Sequence, residues 1–166
     1  MLDGKLVLVT GATRGIGKAI ALTMGAVGAT VIGTATTESG AENISKVFAD
    51  SKISGKGMKL DVTDNEQVSN LVKNIGEDFG SVDILVNNAG IGSSGIVRPT
   101  ITEATYEQYE LLLGAYFWGP IFMSKALVPH LRSAERSDIV MISSVATDSY
   151  SERMGLYSIG KAGMEA

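Results

Sequence analysis

Near the end of this sequence, Ser144, Tyr157 and Lys161 could together move a proton. Tyr157 and Lys161 are four residues apart, so on a helix their side chains share a face. A tyrosine in water titrates near about 10. An ammonium beside it stabilises the phenolate and brings proton transfer toward neutral pH. Ser144 lies 13 residues before Tyr157, just past an apolar run, where its hydroxyl can hold a carbonyl oxygen. A Tyr–Lys pair alone is also what an exposed helix surface offers, so its meaning depends on the rest of the chain.

At the other end, Thr10-Gly11-Ala12-Thr13-Arg14-Gly15-Ile16-Gly17 joins an apolar run to a helical pattern. It is not a phosphate loop: five residues separate Gly11 from Gly17, and Ala19 follows Lys18 where a hydroxyl should hold magnesium. It is not GxGxxG either, since Ile20 stands where the third glycine belongs. The pattern GxxxGxG keeps the same physics. Glycines allow a tight strand-to-helix turn, close approach of the backbone to a pyrophosphate, and close helix–strand packing. The alternative is an ordinary strand-to-helix turn.

Positioning these groups requires strands and helices in alternation. The runs 6–10, 30–34, 57–62, 83–87 and 138–143 are continuously apolar, which suits a parallel sheet covered on both faces. Helical patterns lie at roughly 16–27, 39–51, 64–79 and 104–131. Asp64 is a predicted N-cap, with Gln67 completing a capping-box pattern. Pro120 should kink the long helix or mark a break. The first four strand starts are 24, 27 and 26 residues apart, the length of a βα repeat. The expectation is an α/β, doubly wound parallel sheet of the Rossmann type.

Composition narrows the class further. The 166 residues carry a net charge of −4, with 45% hydrophobic and 19% charged residues, so a packed core is expected and disorder is not. The acidic balance argues against nucleic acid as a partner. There is no cysteine, which excludes disulfides, thiolate metal sites and thiol catalysis. The single His130 makes a Ser-His-Asp triad or a His-rich metal site improbable and reads as a surface or packed residue. No basic segment precedes a long apolar stretch at the N-terminus, and no apolar run approaches the roughly 18–20 residues of a membrane span. A cytoplasmic protein without membrane contact is expected.

With the glycine turn come Asp61-Val62, then Asn87-Asn88-Ala89-Gly90, then Ser144 with Tyr157-Ser158-Ile159-Gly160-Lys161. Taken in this order, these motifs resemble the short-chain dehydrogenase/reductase family, and the resemblance covers residues 3–166. It implies that Gly11, Thr13, Arg14, Gly15, Ile16 and Gly17 form a cofactor turn. It also implies that Asp61 and Val62 border an adenine, and that Asn87, Ala89 and Gly90 line the adenosine ribose side. A strand-ending turn would use the last group of residues equally well. The mechanism it implies needs no metal. Hydride passes from a nicotinamide to a carbonyl carbon, Tyr157 protonates the developing alkoxide, and Ser144 orients the oxygen. Lys161 tunes Tyr157 and holds the nicotinamide ribose.

In a dinucleotide fold, an acid at the end of the second strand binds the ribose hydroxyls of NAD. Here that strand ends Gly33-Thr34-Ala35-Thr36-Thr37, and Glu38 falls late. Hydroxyls and an arginine accept a 2′-phosphate that a carboxylate would repel. NADP(H) is therefore expected, with Arg14, Thr36 and Thr37 around that phosphate; the alternative is that the threonines only continue a strand. One departure from the family stands out. Aligned on Gly119 and Ser124-Lys125-Ala126, the position of the family's water-relay asparagine holds Tyr116. Either its hydroxyl substitutes in the relay or proton return is impaired.

Residues 31–40 closely resemble bacterial β-ketoacyl-acyl-carrier-protein reductases of that family, which implies a 3-oxoacyl thioester on an acidic carrier. Near the end of the long helix only Arg132 and Arg136 carry positive charge in place of those reductases' basic cluster. The segment 92–99 is more similar to family members acting on small ketones, alcohols or sugars. A homodimer or homotetramer is expected by the same resemblance. A non-catalytic nucleotide-binding protein is the competing class. Such folds have a sixth strand, and this family adds a seventh. At roughly 30 residues per βα unit, at least ~60 residues are then missing. The chain reads as a single domain, 1–166, that is incomplete at its C-terminus.

Overall fold

A computed structural model describes residues 1–91, 99–149 and 151–166. Its strands are β1 (Leu6–Val9), β2 (Thr30–Ala35), β3 (Gly55–Lys59), β4 (Ile84–Asn87) and β5 (Asp138–Met141). Its helices are α1 (Gly15–Ala26), α2 (Glu38–Asp50), α3 (Asn65–Asp78), α4 (Tyr106–Leu113), α5 (Gly119–Ser133) and α6 (Gly155–Glu165). A π turn (Gly114–Trp118) joins α4 to α5, and a 3₁₀ turn (Val145–Thr147) follows β5. All strand pairs are parallel, in the order β3-β2-β1-β4-β5.

Strand alternation explains why the runs are apolar throughout. Leu6 and Leu8 of β1, Ile32 and Leu85 point into a core closed by Val68, Leu71 and Ile75 of α3 and Met123, Leu127 and Leu131 of α5. Val7, Val9, Val31, Ile84 and Val86 point the other way, against Ala21 of α1 and Ile44 and Phe48 of α2. Successive side chains on a strand face opposite sides, so the apolar residues of β1, β2 and β4 serve both cores. β5 is exposed at all four positions, so the expected cover on both faces does not extend to it. This is the doubly wound arrangement. A smaller cluster of Leu112, Tyr116 and Leu156 binds α4, the π turn and α6.

Several local expectations change. β3 begins and ends earlier than 57–62. Gly55 pairs with Val31 at φ +133, and a Cβ there would lie 1.8 Å from the Val31 carbonyl oxygen, so only glycine starts this strand. Leu60 and Val62 are buried in the core beyond the strand's end, so their apolar character reflects packing, not pairing. Asp64 caps α3 as expected, its Oδ1 accepting from the Glu66 and Gln67 amides at 3.0 Å. Gln67, however, accepts from the Asp61 amide and donates to Asp64 Oδ2, so the reciprocal bond to the N-cap amide is absent. The full capping box sits at Thr105 and Gln108 instead. His130 is a packed residue whose Nδ1 accepts from the Val82 amide at 3.3 Å.

The long helix runs from Tyr106 to Ser133 with the π turn inside it, directly before Pro120. Pro120 has no N–H to offer the ladder, and the break expected from it is this turn. Averaged over a window, this helix is long and apolar enough to cross a membrane, contrary to the sequence expectation. Its apolar residues Met123, Leu127 and Leu131 are spent on the core.

Candidate active site

The parallel strands bring their carboxyl ends to one rim. There β1 is flanked by β2 on one side and β4 on the other, the point where chain direction around the sheet switches. A cleft of about 860 Å³ opens at this point. It is lined by Gly11, Thr13, Arg14, Gly15, Ile16 and Gly17 of the turn, Thr36 and Thr37 after β2, Asp61 and Val62 after β3, and Ala89 and Gly90 after β4.

Close approach dictates the glycines. Gly11 has φ +68, and a Cβ at Gly17 would lie 2.3 Å from both Asn88 Nδ2 and the Gly11 carbonyl oxygen. α1 starts at Gly15 with no side-chain cap and no acid in its first turn. Its first amides therefore face the cleft without a protein partner of that kind, a favourable place for phosphate. The turn is braced from below. Asn88 Nδ2 donates to the Thr10 and Gly11 carbonyls at 2.9 and 3.0 Å. The Thr10 hydroxyl accepts from the Asn88 and Ala89 amides at 3.0 and 2.9 Å. The Gly11 amide donates to Thr34 Oγ1.

Asn87 is buried beneath the cleft and does not line it; its amide group donates toward Ser124 Oγ and Met141 Sδ. Thr37 caps α2, its hydroxyl accepting from the Gly40 amide. Thr36 and Arg14 are exposed at the mouth. Glu38 lies 4.0 Å from Lys59, and Asp61 Oδ1 accepts from the amide and hydroxyl of Thr63. Sequence reading missed Thr34, Leu60, Thr63, Ile91, Leu111 and Ala115 as lining residues. Asn88 was read only as part of a motif, although an amide side chain after a strand at this rim was the signal for its bracing role.

Ser144, Tyr157 and Lys161 do not line the cleft. Lys161 Nζ donates to the carbonyl of Ile142, the first residue past β5, which ties α6 to the rim. Ser144 follows two residues later as cap of the 3₁₀ turn, its Oγ accepting from the Ala146 amide at 3.2 Å. Tyr157 packs edge-on against Tyr116, with ring centroids 4.9 Å apart. Burial holds the Lys161 amine below its ordinary pKa. The segment 92–98, which bears on substrate in the sequence reading, lies outside the described residues, as does Tyr150.

Residues 5–166 match the family model for short chain dehydrogenases, and the chain belongs to that family. It is 39% identical over 163 residues to the 3-oxoacyl-[acyl-carrier-protein] reductase FabG of Haemophilus influenzae, covering 98% of this chain and 64% of that one. It is 40% identical over 162 residues to the reductase of the same name from Escherichia coli, with the same coverage. The chain thus spans about 64% of the length of these relatives. Among solved structures it is similar to a short-chain dehydrogenase from Streptomyces avermitilis, with TM-score 0.87 and 34% identity, covering 97% of this chain and 57% of that one. It is also similar to a metagenomic short-chain oxidoreductase solved in complex with NADP, with TM-score 0.90 and 27% identity, covering 99% and 73%.

Proposed function

We propose that this chain is the NADP-binding domain of an NADPH-dependent carbonyl reductase that reduces 3-oxoacyl groups on an acyl carrier to 3-hydroxyacyl groups. The observation that carries the reading is the Lys161–Ile142 bond, which holds the Tyr157–Lys161 helix at the same sheet rim as the glycine cleft. The residues fit the cofactor. The cradle at Gly11 and Gly17 is one a Cβ would fill. Where NAD would meet an acid, the chain offers Thr36 and Arg14, and Glu38 is engaged toward Lys59. The relative solved with NADP supports the same choice.

In this reading, the backbone amides of the glycine turn hold the pyrophosphate, and Arg14 and Thr36 hold the 2′-phosphate. Thr37 accepts from the Gly40 amide at the start of α2, which leaves its own O–H to donate to the same phosphate. When bound, the nicotinamide supplies the hydride. Ser144 orients the carbonyl oxygen, Tyr157 gives its hydroxyl proton to that oxygen as charge develops, and the Lys161 ammonium favours the phenolate left behind. Self-association is supported by the exposed Trp118, Ile121 and Ile159.

The test is NADPH oxidation with a panel of 3-oxoacyl thioesters, small ketones and sugars. Thioester-dependent oxidation that falls about 100-fold or more in Tyr157→Phe is the expected outcome. Preference for a small ketone or sugar would move the substrate within the family. NADPH binding without turnover would favour a nucleotide-binding role, and tighter binding of NADH would overturn the cofactor assignment.

A further inference from the structure

Tyr116 is the residue that this mechanism leaves unused, and the structure places it between the two residues the mechanism depends on. Its side chain is 5% exposed. Its ring meets that of Tyr157 at 87° with centroids 4.9 Å apart, and Lys161 Nζ stands 5.0 Å from the centre of the same ring. The hydroxyl donates to the Ile91 carbonyl at 2.7 Å. The space for the ring is cleared by two glycines, one in the chain after β4 and one on α6. A Cβ at Gly90 would lie 2.4 Å from Tyr116 Cε1, and one at Gly160 would lie 2.8 Å from Tyr116 Cβ. The backbone at Tyr116 is the π turn, which changes the helical register within one turn.

These contacts belong to different kinds of interaction that share one ring. Aromatic pairs favour edge-to-face packing, in which the positive ring edge meets the negative face. A cation over a ring face is attracted by the same charge distribution, more strongly when it is shielded from water. The hydroxyl proton is committed to Ile91, so what Tyr116 offers Lys161 is its aromatic face. We propose that Tyr116 is a positioning residue: its ring, seated by the packing around it, fixes Tyr157 and the Lys161 ammonium relative to each other. It does this by packing.

The inference rests on the roles given above to Tyr157 and Lys161, but its test does not depend on turnover. The ionisable groups on the elements packed against α6 are Tyr106, Glu107, Tyr109 and Glu110 of α4 and Tyr116 itself. On α6 there are also Tyr157 and Glu165, and Glu165 accepts from the Ser143 hydroxyl. None of the acids forms an ion pair with Lys161 among the described residues.

The experiment is a pH titration of the full chain labelled with ¹³C at lysine Cε, in the wild type, Y116F and Y116M. Lys161 Hε signals displaced by the ring current are expected in the wild type and Y116F, with a common titration midpoint. In Y116M the displacement should vanish and Lys161 should release its proton at least about half a pH unit lower. Three results would each overturn the proposal: no displacement in the wild type, a folded Y116M that titrates like the wild type, or a Y116F that behaves like Y116M. The wild-type signal decides even if Y116M does not fold. Absence of carbonyl-dependent NADPH oxidation in the same samples would instead remove the reductase reading while leaving the position of Lys161 measured.

Discussion

An ammonium drawn out of water lowers stability unless other groups replace its hydration. Lys161 is 4% exposed and recovers part of that loss from the Ile142 carbonyl and the Tyr116 ring, with no carboxylate bound to it among the described residues. Its pKa is held below the ordinary 10.5 by burial, so the unfolded chain binds this proton more readily than the folded one. The destabilisation is then fully present below the folded pKa and fades as pH rises through it toward 10.5. Lys161→Met should therefore melt at or above the wild type at neutral pH, by up to about 1 kcal/mol. The difference should narrow toward alkaline pH, and reductase activity should be lost. Thermal melts across the pH range check this, and a variant clearly less stable at neutral pH would show the ammonium to be a net support. The Tyr157–Lys161 spacing was legible because four residues on a helix are neighbours by geometry alone. The ring between them was not, because Tyr116 arrives through tertiary packing from another helix.

The helical run from Tyr106 to Ser133 shows what sequence reveals and conceals about an element. Pro120 marked the place of the break, but Pro129 lacks the same donor and sits inside α5 without one. The start of α4 was marked by Thr105 and Gln108 in capping-box spacing, a signal as plain as the one at Asp64 and one that sequence reading passed over. At Asp64 the pattern was seen, but the Gln67 Oε1 accepts from the Asp61 amide and not from the N-cap amide. Thr105→Ala removes a hydroxyl that accepts from the Gln108 amide and should cost about 1 kcal/mol, read as a lower urea midpoint with an unchanged slope. No loss would show that α4 is held by its packing on α6 alone.

At the scale of the whole molecule, stability comes from filling both faces of the sheet at β1, β2 and β4. The parallel, doubly wound class was readable because strands buried on both sides lose their alternation. The β3 boundaries were not, because Leu60 and Val62 belong to the same core without belonging to the strand. Phe48, 2% exposed, closes the α2 side against Ile44 and Val31. Phe48→Ala should cost about 3–5 kcal/mol by leaving a cavity that a close-packed layer cannot refill, measured by chemical denaturation. A loss below about 1 kcal/mol would mean that α2 collapses inward freely. In that case the collapse would also disturb Thr37 and the mouth of the cleft, and nucleotide binding would weaken along with it.

The brace between Asn88 and the glycine turn has a kinetic meaning. Because Asn88 holds the Thr10 and Gly11 carbonyls while Thr10 holds the Asn88 and Ala89 amides, the two turns form one stiff piece before anything arrives. A visiting dinucleotide does not have to freeze a wandering loop in order to be held. Its arrival is set by collision and orientation, and the duration of its stay by how readily the phosphates come away from the turn.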